Sequence, residues 1–263
     1  MNVLITGASG GLGRAFAIDC AQRGYDLLLT DINESGLNTF KQGLLRQYDI
    51  TVHVLACDLT EDDEVASLMD YAKAHGFDLD MVLNVAGLDH EGAFTQRTFK
   101  QISSILHLNI EATLRMTYQA LTQRRQNSRF YIVFVSSLAS LYPMPLKATY
   151  AASKRFLLDF SIALGQELRP HNVSVLSLCP GGLATTKEAL RGIAAQNFWG
   201  SATTNKLEKV AHRTIAYALH GRHVYIPGIL NRTLSILGKM VPTEIVARLL
   251  YSRWSKAQKQ WQA

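Results

Sequence analysis

The sequence predicts an α/β fold in which a parallel sheet carries helices on both faces. Short apolar runs alternate with helical stretches of about ten to fifteen residues, the pattern of repeated strand–helix–strand units. A glycine cluster separates the first strand from the first helix. The polar residues with evident chemical use fall just after the strands, where open α/β sheets bind their ligands. No internal repeat or linker interrupts the 263 residues, so a single domain is expected.

Apolar residues make up 48% of the chain and charged residues 18%, which supports a sizeable core and argues against disorder. The formal charge of +6 predicts mild attraction to anions such as a phosphorylated cofactor. No run of Lys and Arg with interleaved aromatics appears, so nucleic acid is not an expected partner. Cys20, Cys57 and Cys179 sit in apolar stretches without CxxC or Cys/His spacing and read as buried thiols of a reducing cytosol. No metal is expected, because the eight histidines are scattered and no HExxH occurs. Met1 runs almost directly into an apolar strand, leaving no room for a signal peptide. No apolar run is long enough to span a bilayer, and a cytoplasmic location is expected.

Asn2–Thr6 reads as a buried strand that breaks into Thr6-Gly7-Ala8-Ser9-Gly10-Gly11-Leu12-Gly13. Arg14–Arg23 continues as a helix, with Ala15, Ile18, Ala21 and Gln22 at helical spacing. Glycines allow a tight turn and close backbone approach, and the helix N-terminus offers free N–H groups to a pyrophosphate. Strand, glycines and helix in this order point to a dinucleotide. Asp26–Thr30 is a second strand ending at Asp31, eighteen residues after Gly13. An acid at about this distance accepts hydrogen bonds from the adenosine ribose and repels a 2′-phosphate. Ile32 and Asn33 follow it instead of Arg, and Gly10 stands where a basic residue could meet that phosphate. NAD(H) is therefore favoured and NADP(H) left open. In the competing reading Asp31 only caps the helix that starts near Asn33.

Leu37–Tyr48 is a helix, and Thr51–Ala56 a strand whose exit carries Asp58. Asp58 either reaches the adenine amino group or is only a neighbour of Thr60 and the acids after it, which cap the helix Glu61–His75. Asp80–Asn84 opens into Asn84-Val85-Ala86-Gly87, small residues that let a flat ring approach the backbone. Thr98–Arg125 is a long helical stretch with Asn109 among Ile105, Leu106, Leu108 and Ile110. A buried Asn there is either a satisfied structural amide or a working one. Arg129–Val135 delivers Ser136 and Ser137 to the same rim. Thr149–Leu168 is a helix, and Val173–Leu178 a strand ending at Cys179–Thr185. Gly182–Asn205 shows no clear period and contains Phe198-Trp199, so residues 182–206 read as a substrate lid. Leu207–Leu219 and Val224–Ile226 are a last helix and strand.

Tyr150 and Lys154 lie one helical turn apart on one face, just after Ser136-Ser137 in the chain. An adjacent ammonium lowers the pKa of a phenol from about 10 and makes it an acid usable near neutrality. The Ser137 hydroxyl could then hold a carbonyl oxygen against that acid. Such a cluster suits proton transfer coupled to hydride transfer.

Thr6-Gly7-x-x-x-Gly11-x-Gly13, Asn84-x-Ala86-Gly87, Asn109, Ser137, Tyr150-x-x-x-Lys154 and Pro180-Gly181-x-x-x-Thr185 together resemble the short-chain dehydrogenase/reductase family from Met1 to about Ile226. The resemblance implies a Rossmann-type, doubly wound sheet of about seven parallel strands. It implies Tyr150 as general acid/base and Ser137 as the residue orienting the substrate oxygen. Lys154 would bind the nicotinamide ribose and lower the Tyr150 pKa, and Asn109 would hold a water in the proton relay. Ser137 is preferred to Ser136 on the family's spacing to the tyrosine. The implied cofactor set is Gly7, Ser9, Gly11, Leu12, Gly13, Asp31, Asp58, Leu59, Asn84, Ala86, Gly87, Tyr150, Lys154, Pro180, Gly181, Leu183 and Thr185. A homodimer or homotetramer is implied as well, through the helices around Asn109 and Tyr150.

Beyond Ile226, Ile229–Lys239 and Pro242–Lys259 form a basic helical extension (227–263) with Ile245, Val246, Leu249, Leu250 and Trp254 on one side. Such a helix packs against the domain or a neighbouring subunit, lies peripherally on an anionic membrane, or covers a lipid-like substrate. The expected activity is the interconversion of a secondary alcohol and a ketone with NAD(P), on an apolar steroid-like, acyl or other lipophilic substrate. The rivals are an NADPH-dependent carbonyl or 3-oxoacyl reductase and a non-catalytic nucleotide-sensing or scaffold protein.

Overall fold

The computed structural model describes residues 1–184, 203–238 and 240–262. Its strands are β1 (Asn2–Thr6), β2 (Asp26–Asp31), β3 (Val52–Ala56), β4 (Met81–Asn84), β5 (Phe130–Val135), β6 (Val173–Leu178) and β7 (Val224–Tyr225). They form one seven-stranded sheet in the order β3-β2-β1-β4-β5-β6-β7, with every pairing parallel. The order reverses between β1 and β4, so the crevice expected of such sheets opens beyond Thr6 and Asn84.

The helices are α1 (Gly11–Gln22), α2 (Glu34–Leu45), α3 (Asp62–Ala74), α4 (Phe99–Leu106), α5 (Thr113–Thr122), α6 (Ala148–Leu168), α7 (Leu207–Leu219), α8 (Ile229–Leu237) and α9 (Thr243–Gln262). A parallel sheet is buried on both faces, and alternate residues of each strand serve opposite cores. Val3, Ile5, Leu27, Leu29, Leu83 and Val133 pack with Phe16 and Cys20 of α1 and Ile215 of α7. Leu4, Leu28, Val82, Ile132 and Phe134 face Leu68 of α3, Met116 of α5 and Leu157 of α6. Cys20, Cys57 and Cys179 are buried free thiols.

Three expectations change. Helix α1 begins at Gly11, because Gly11 and Gly13 belong to its first turn, and it buries Leu12, Phe16 and Cys20 while Ile18 stays exposed. The α2 helix begins at Glu34, where Asn33 Oδ1 accepts a hydrogen bond from Gly36 N at 3.0 Å. The single helix predicted over Thr98–Arg125 is divided by a π-turn at His107–Ala112. A wide turn of this kind admits one residue more than α-helical spacing allows, and here it carries the buried Asn109.

The C-terminal extension lies against the segment that follows β5. The Tyr142 hydroxyl donates to the Leu234 carbonyl of α8, and Lys147 Nζ lies 5.3 Å from the ring centre of Trp254 on α9. Other apolar residues of the extension are exposed, among them Ile229, Ile236 and Leu249. No helix among the described residues is long and apolar enough to cross a membrane.

Candidate active site

Ser136 and Ser137 emerge from β5 with separate tasks. Ser136 Oγ donates to the Lys154 carbonyl at 2.7 Å and ties α6 to the strand. Ser137 begins a 3-10 turn, its Oγ accepts from Ala139 N at 3.1 Å, and its hydroxyl is hydrogen-bonded to Tyr150. Tyr150 and Lys154 lie in the first two turns of α6, and Lys154 Nζ donates to the Val135 carbonyl at 2.9 Å. The Lys154 ammonium sits 5.8 Å from the centre of the Tyr150 ring.

Asn109 reaches this cluster from the π-turn. Its Oδ1 accepts from Leu88 N and its Nδ2 donates to the Leu88 carbonyl, both at 2.9 Å. The same Nδ2 donates to Ser153 Oγ at 3.1 Å, and Ser153 Oγ donates to the Tyr150 carbonyl at 2.7 Å. Asn109 thus ties the segment after β4 to α6. A Cβ on Gly87 would come within 3.0 Å of Asn109 Oδ1 and 3.1 Å of Lys154 Nζ, so that bare position leaves both groups reachable.

The phenol's acidity departs from expectation. Burial pushes Tyr150 upward and Asp89 adds to the rise, whereas Lys147 and the hydrogen bond to Ser137 pull it down. Lys154, expected to acidify Tyr150, is itself brought down to about 8 by burial. In the chain alone, the cation that pulls the Tyr150 phenol down is Lys147. One consequence is measurable. Between pH of about 8 and 10.5 the unfolded chain holds a proton that folded Lys154 has released. Stability of the cofactor-free protein should therefore rise through that window by up to about 3 kcal/mol, and be lost again as pH falls through 8. Urea midpoints of Lys154→Met should lack this rise; an identical slope would contradict it.

The crevice at the strand reversal is built from the glycine segment and the exit of β4. Thr6 Oγ1 accepts from Val85 N and Ala86 N at 3.0 and 3.1 Å. Gly7 has φ of +63°, and a Cβ there would meet the Ala86 backbone at 2.9 Å, so only glycine fits this crossing. Gly11, Leu12 and Gly13 form the first turn of α1, whose amides lack intrahelical acceptors. Asp31 Oδ2 accepts from Ser9 N at 3.0 Å and its Oδ1 from Asn33 N at 3.1 Å, so Asp31 joins the glycine loop to the entry of α2 without being its cap.

Other expected residues have local duties. Asp58 Oδ1 accepts from Thr60 N and Oγ1 at 2.9 and 2.7 Å, and Leu59 is buried beside it. The Asn84 side chain donates to Thr117 Oγ1 at 3.1 Å, so it braces β4 against α5. Its Oδ1 is buried without a partner. The Pro180 carbonyl accepts from Leu138 N at 2.7 Å. A Cβ on Gly181 would lie 2.3 Å from the Thr203 carbonyl, and Leu183 bridges to Asn205. Thr185, Phe198-Trp199 and most of the expected lid lie outside the described residues.

Sequence reasoning passed over Lys147, Asp89 and Glu91. Lys147 Nζ lies 2.7 Å from Asp89 Oδ2 and 3.1 Å from Glu91 Oε2, beside Tyr150. The available signal was two acids soon after the Asn84–Gly87 exit and a lysine three residues before Tyr150, and nothing in their spacing says that they meet.

The family model for short chain dehydrogenases matches residues 1–192. The chain belongs to that family. Among curated relatives of this short-chain dehydrogenase are proteins named very-long-chain 3-oxoacyl-CoA reductase. That of Pyrenophora tritici-repentis is 32% identical, with 73% of this chain and 58% of the relative covered. That of Phaeosphaeria nodorum is 31% identical, with 83% and 68% covered. This chain spans between 50% and 76% of the length of the curated relatives it matches. A short-chain dehydrogenase from Sphingobium yanoikuyae, solved in complex with NADPH, aligns with a TM-score of 0.75 at 25% identity, covering 91% of this chain and 93% of that one. One from Burkholderia phymatum, solved in complex with NAD, shares the fold with a TM-score of 0.79 at 21% identity, covering 90% and 92%.

Proposed function

We propose that this protein is an NAD(P)-dependent oxidoreductase that interconverts a ketone and a secondary alcohol on a lipophilic substrate, with 3-oxoacyl thioesters as the leading class. The observation that carries this reading is the convergence of Ser137, Tyr150, Lys154 and Asn109 beside the crevice at the β1/β4 reversal. The residues present fit a nicotinamide dinucleotide: the first turn of α1 suits a pyrophosphate, Asp31 a ribose diol, and the bare Gly87 admits a flat group toward Lys154. Bound nicotinamide supplies or accepts the hydride. Tyr150 gives its proton to the carbonyl oxygen in reduction and removes it from the alcohol in oxidation. Ser137 donates a hydrogen bond to the same oxygen and holds it at the phenol. Lys154 binds the ribose of the dinucleotide, and Asn109 keeps the Leu88 backbone and α6 in register with that group.

The kinship with proteins named very-long-chain 3-oxoacyl-CoA reductase supports the acyl reading. In the test, 3-oxoacyl-CoA of increasing chain length and simple ketones are offered with NADH or NADPH, and cofactor oxidation is followed at 340 nm. Silence across both sets and both cofactors would end the proposal.

The Asp31 carboxylate supports preference for NAD(H), since a 2′-phosphate would be placed against its charge. Asp31→Ala should narrow the ratio of NADPH to NADH dissociation constants by about tenfold, a loss of roughly 1.4 kcal/mol of discrimination. An unchanged ratio, or a wild-type preference for NADPH, would refute it. A homodimer or homotetramer is also proposed, on the exposed Phe99, Tyr118 and Phe156 of α4, α5 and α6. Light scattering tests it.

A further inference from the structure

We infer that Lys147, clamped by Asp89 and Glu91 and covered by Trp254, is a positioning residue that sets how readily Tyr150 takes up and releases its proton. This rests on the role proposed for Tyr150. Three independent segments build the device: the stretch after β4, the cap of α6, and the C-terminal helix α9.

The geometry is specific. Lys147 Nζ stands 5.7 Å from the centre of the Tyr150 ring, as close as the 5.8 Å of Lys154. It lies 2.7 Å from Asp89 and 3.1 Å from Glu91, with side-chain exposures of 16%, 24% and 18% for the three residues. Charges this far from bulk water act on a neighbour more strongly than an exposed pair would. From α9 the Trp254 ring lies 5.3 Å from the same ammonium and excludes solvent from that side. The backbone is committed to the arrangement as well. Leu146 adopts a φ of +67°, unusual for a bulky residue, and its carbonyl accepts from Gly92 N at 2.8 Å. That bond ties the lysine's segment to the one carrying Asp89 and Glu91.

Among the described residues, the groups facing Tyr150 are Ser137 from the end of β5, Asp89 from the segment after β4, Lys147 from the α6 cap, and Lys154 from α6 itself. Glu91 acts through Lys147, and Trp254 carries no charge. Asp89 favours the protonated phenol and Lys147 the phenolate, with the carboxylate the stronger of the two. The balance keeps Tyr150 a proton donor, the state that ketone reduction requires. The C-terminal extension thereby becomes part of the proton-transfer machinery, because it governs the solvent around Lys147.

The test titrates Tyr150 directly. Protein labelled with 13C at the tyrosine ζ carbon is followed by NMR against pH, with the Tyr150 signal identified by its loss in Tyr150→Phe. Lys147→Met should move the ionisation to higher pH and Asp89→Asn to lower pH, while Lys147→Arg should restore most of the wild-type value. The acid limb of kcat/KM for alcohol oxidation should move in the same two directions, with Lys147→Met slowing oxidation at neutral pH on the order of tenfold. In a Trp254→Ala background the Lys147→Met shift should shrink. Shifts in one common direction, or a Tyr150 signal indifferent to both substitutions, would overturn the inference. Opposite shifts in a protein without turnover would uphold it and reject the proposed activity instead.

Discussion

Tyr150→Phe should lower kcat by about a thousandfold while leaving dinucleotide affinity within a factor of about two. The substitution keeps the ring and its packing on α6 and deletes only the hydroxyl that Ser137 holds. A positioned general acid is worth about 10²- to 10⁴-fold in rate, and no other described side chain at the site is bonded to Ser137 in a way that would replace it. The glycine segment and Asp31 take the hydrogen bonds described above from residues other than Tyr150, so cofactor binding should persist. Quenching of protein fluorescence by NADH and single-turnover absorbance at 340 nm separate the two effects. Undiminished turnover would remove Tyr150 from the mechanism.

Gly13→Ala should be the most damaging small change in the fold. A Cβ there would stand 2.2 Å from the Gly7 carbonyl oxygen and 2.8 Å from Ala8 Cα, both backbone atoms. Neither can retreat, because Gly7 is pressed against Ala86 and Ala86 is bonded to Thr6. Alanine's helix preference offers about 1 kcal/mol, while overpacking costs about 1–3 kcal/mol and more where the backbone must move. A net loss of about 2 kcal/mol in urea unfolding is expected, with dinucleotide binding weakened at least tenfold as the loop opens. Gly43→Ala is the control. Nothing lies within 4 Å of its Cβ in α2, and it should stabilise the protein by about 0.5–1 kcal/mol. Equal behaviour of the two variants would refute the claim that the Gly7 carbonyl excludes a side chain at Gly13.

The elements that read well from the chain were those with a strong local signal. Strands of apolar residues bounded by glycine or aspartate came out within a residue or two, as at Asn2–Thr6 and Val173–Leu178. The break in the Thr98–Arg125 stretch did not, since a π-turn has nearly the composition of the helix around it and only the burial of Asn109 motivates it. Asn84 shows the same limit. Its place in a motif says that the residue matters, yet not that its amide braces Thr117.

The sequence by itself determined the layered α/β architecture, the strand-end location of the candidate site, and the grouping of Ser137, Tyr150 and Lys154 in it. These follow from periodicity, from glycine's conformational freedom, and from motifs whose members lie close along the chain. Only the tertiary structure brought Lys147 and Asp89 to Tyr150. Asp89, Lys147 and Trp254 are separated by long stretches of chain and meet at one phenol, and their effect depends on distance and on exclusion of water. Electrostatic influence falls with separation in space and takes no account of separation in sequence.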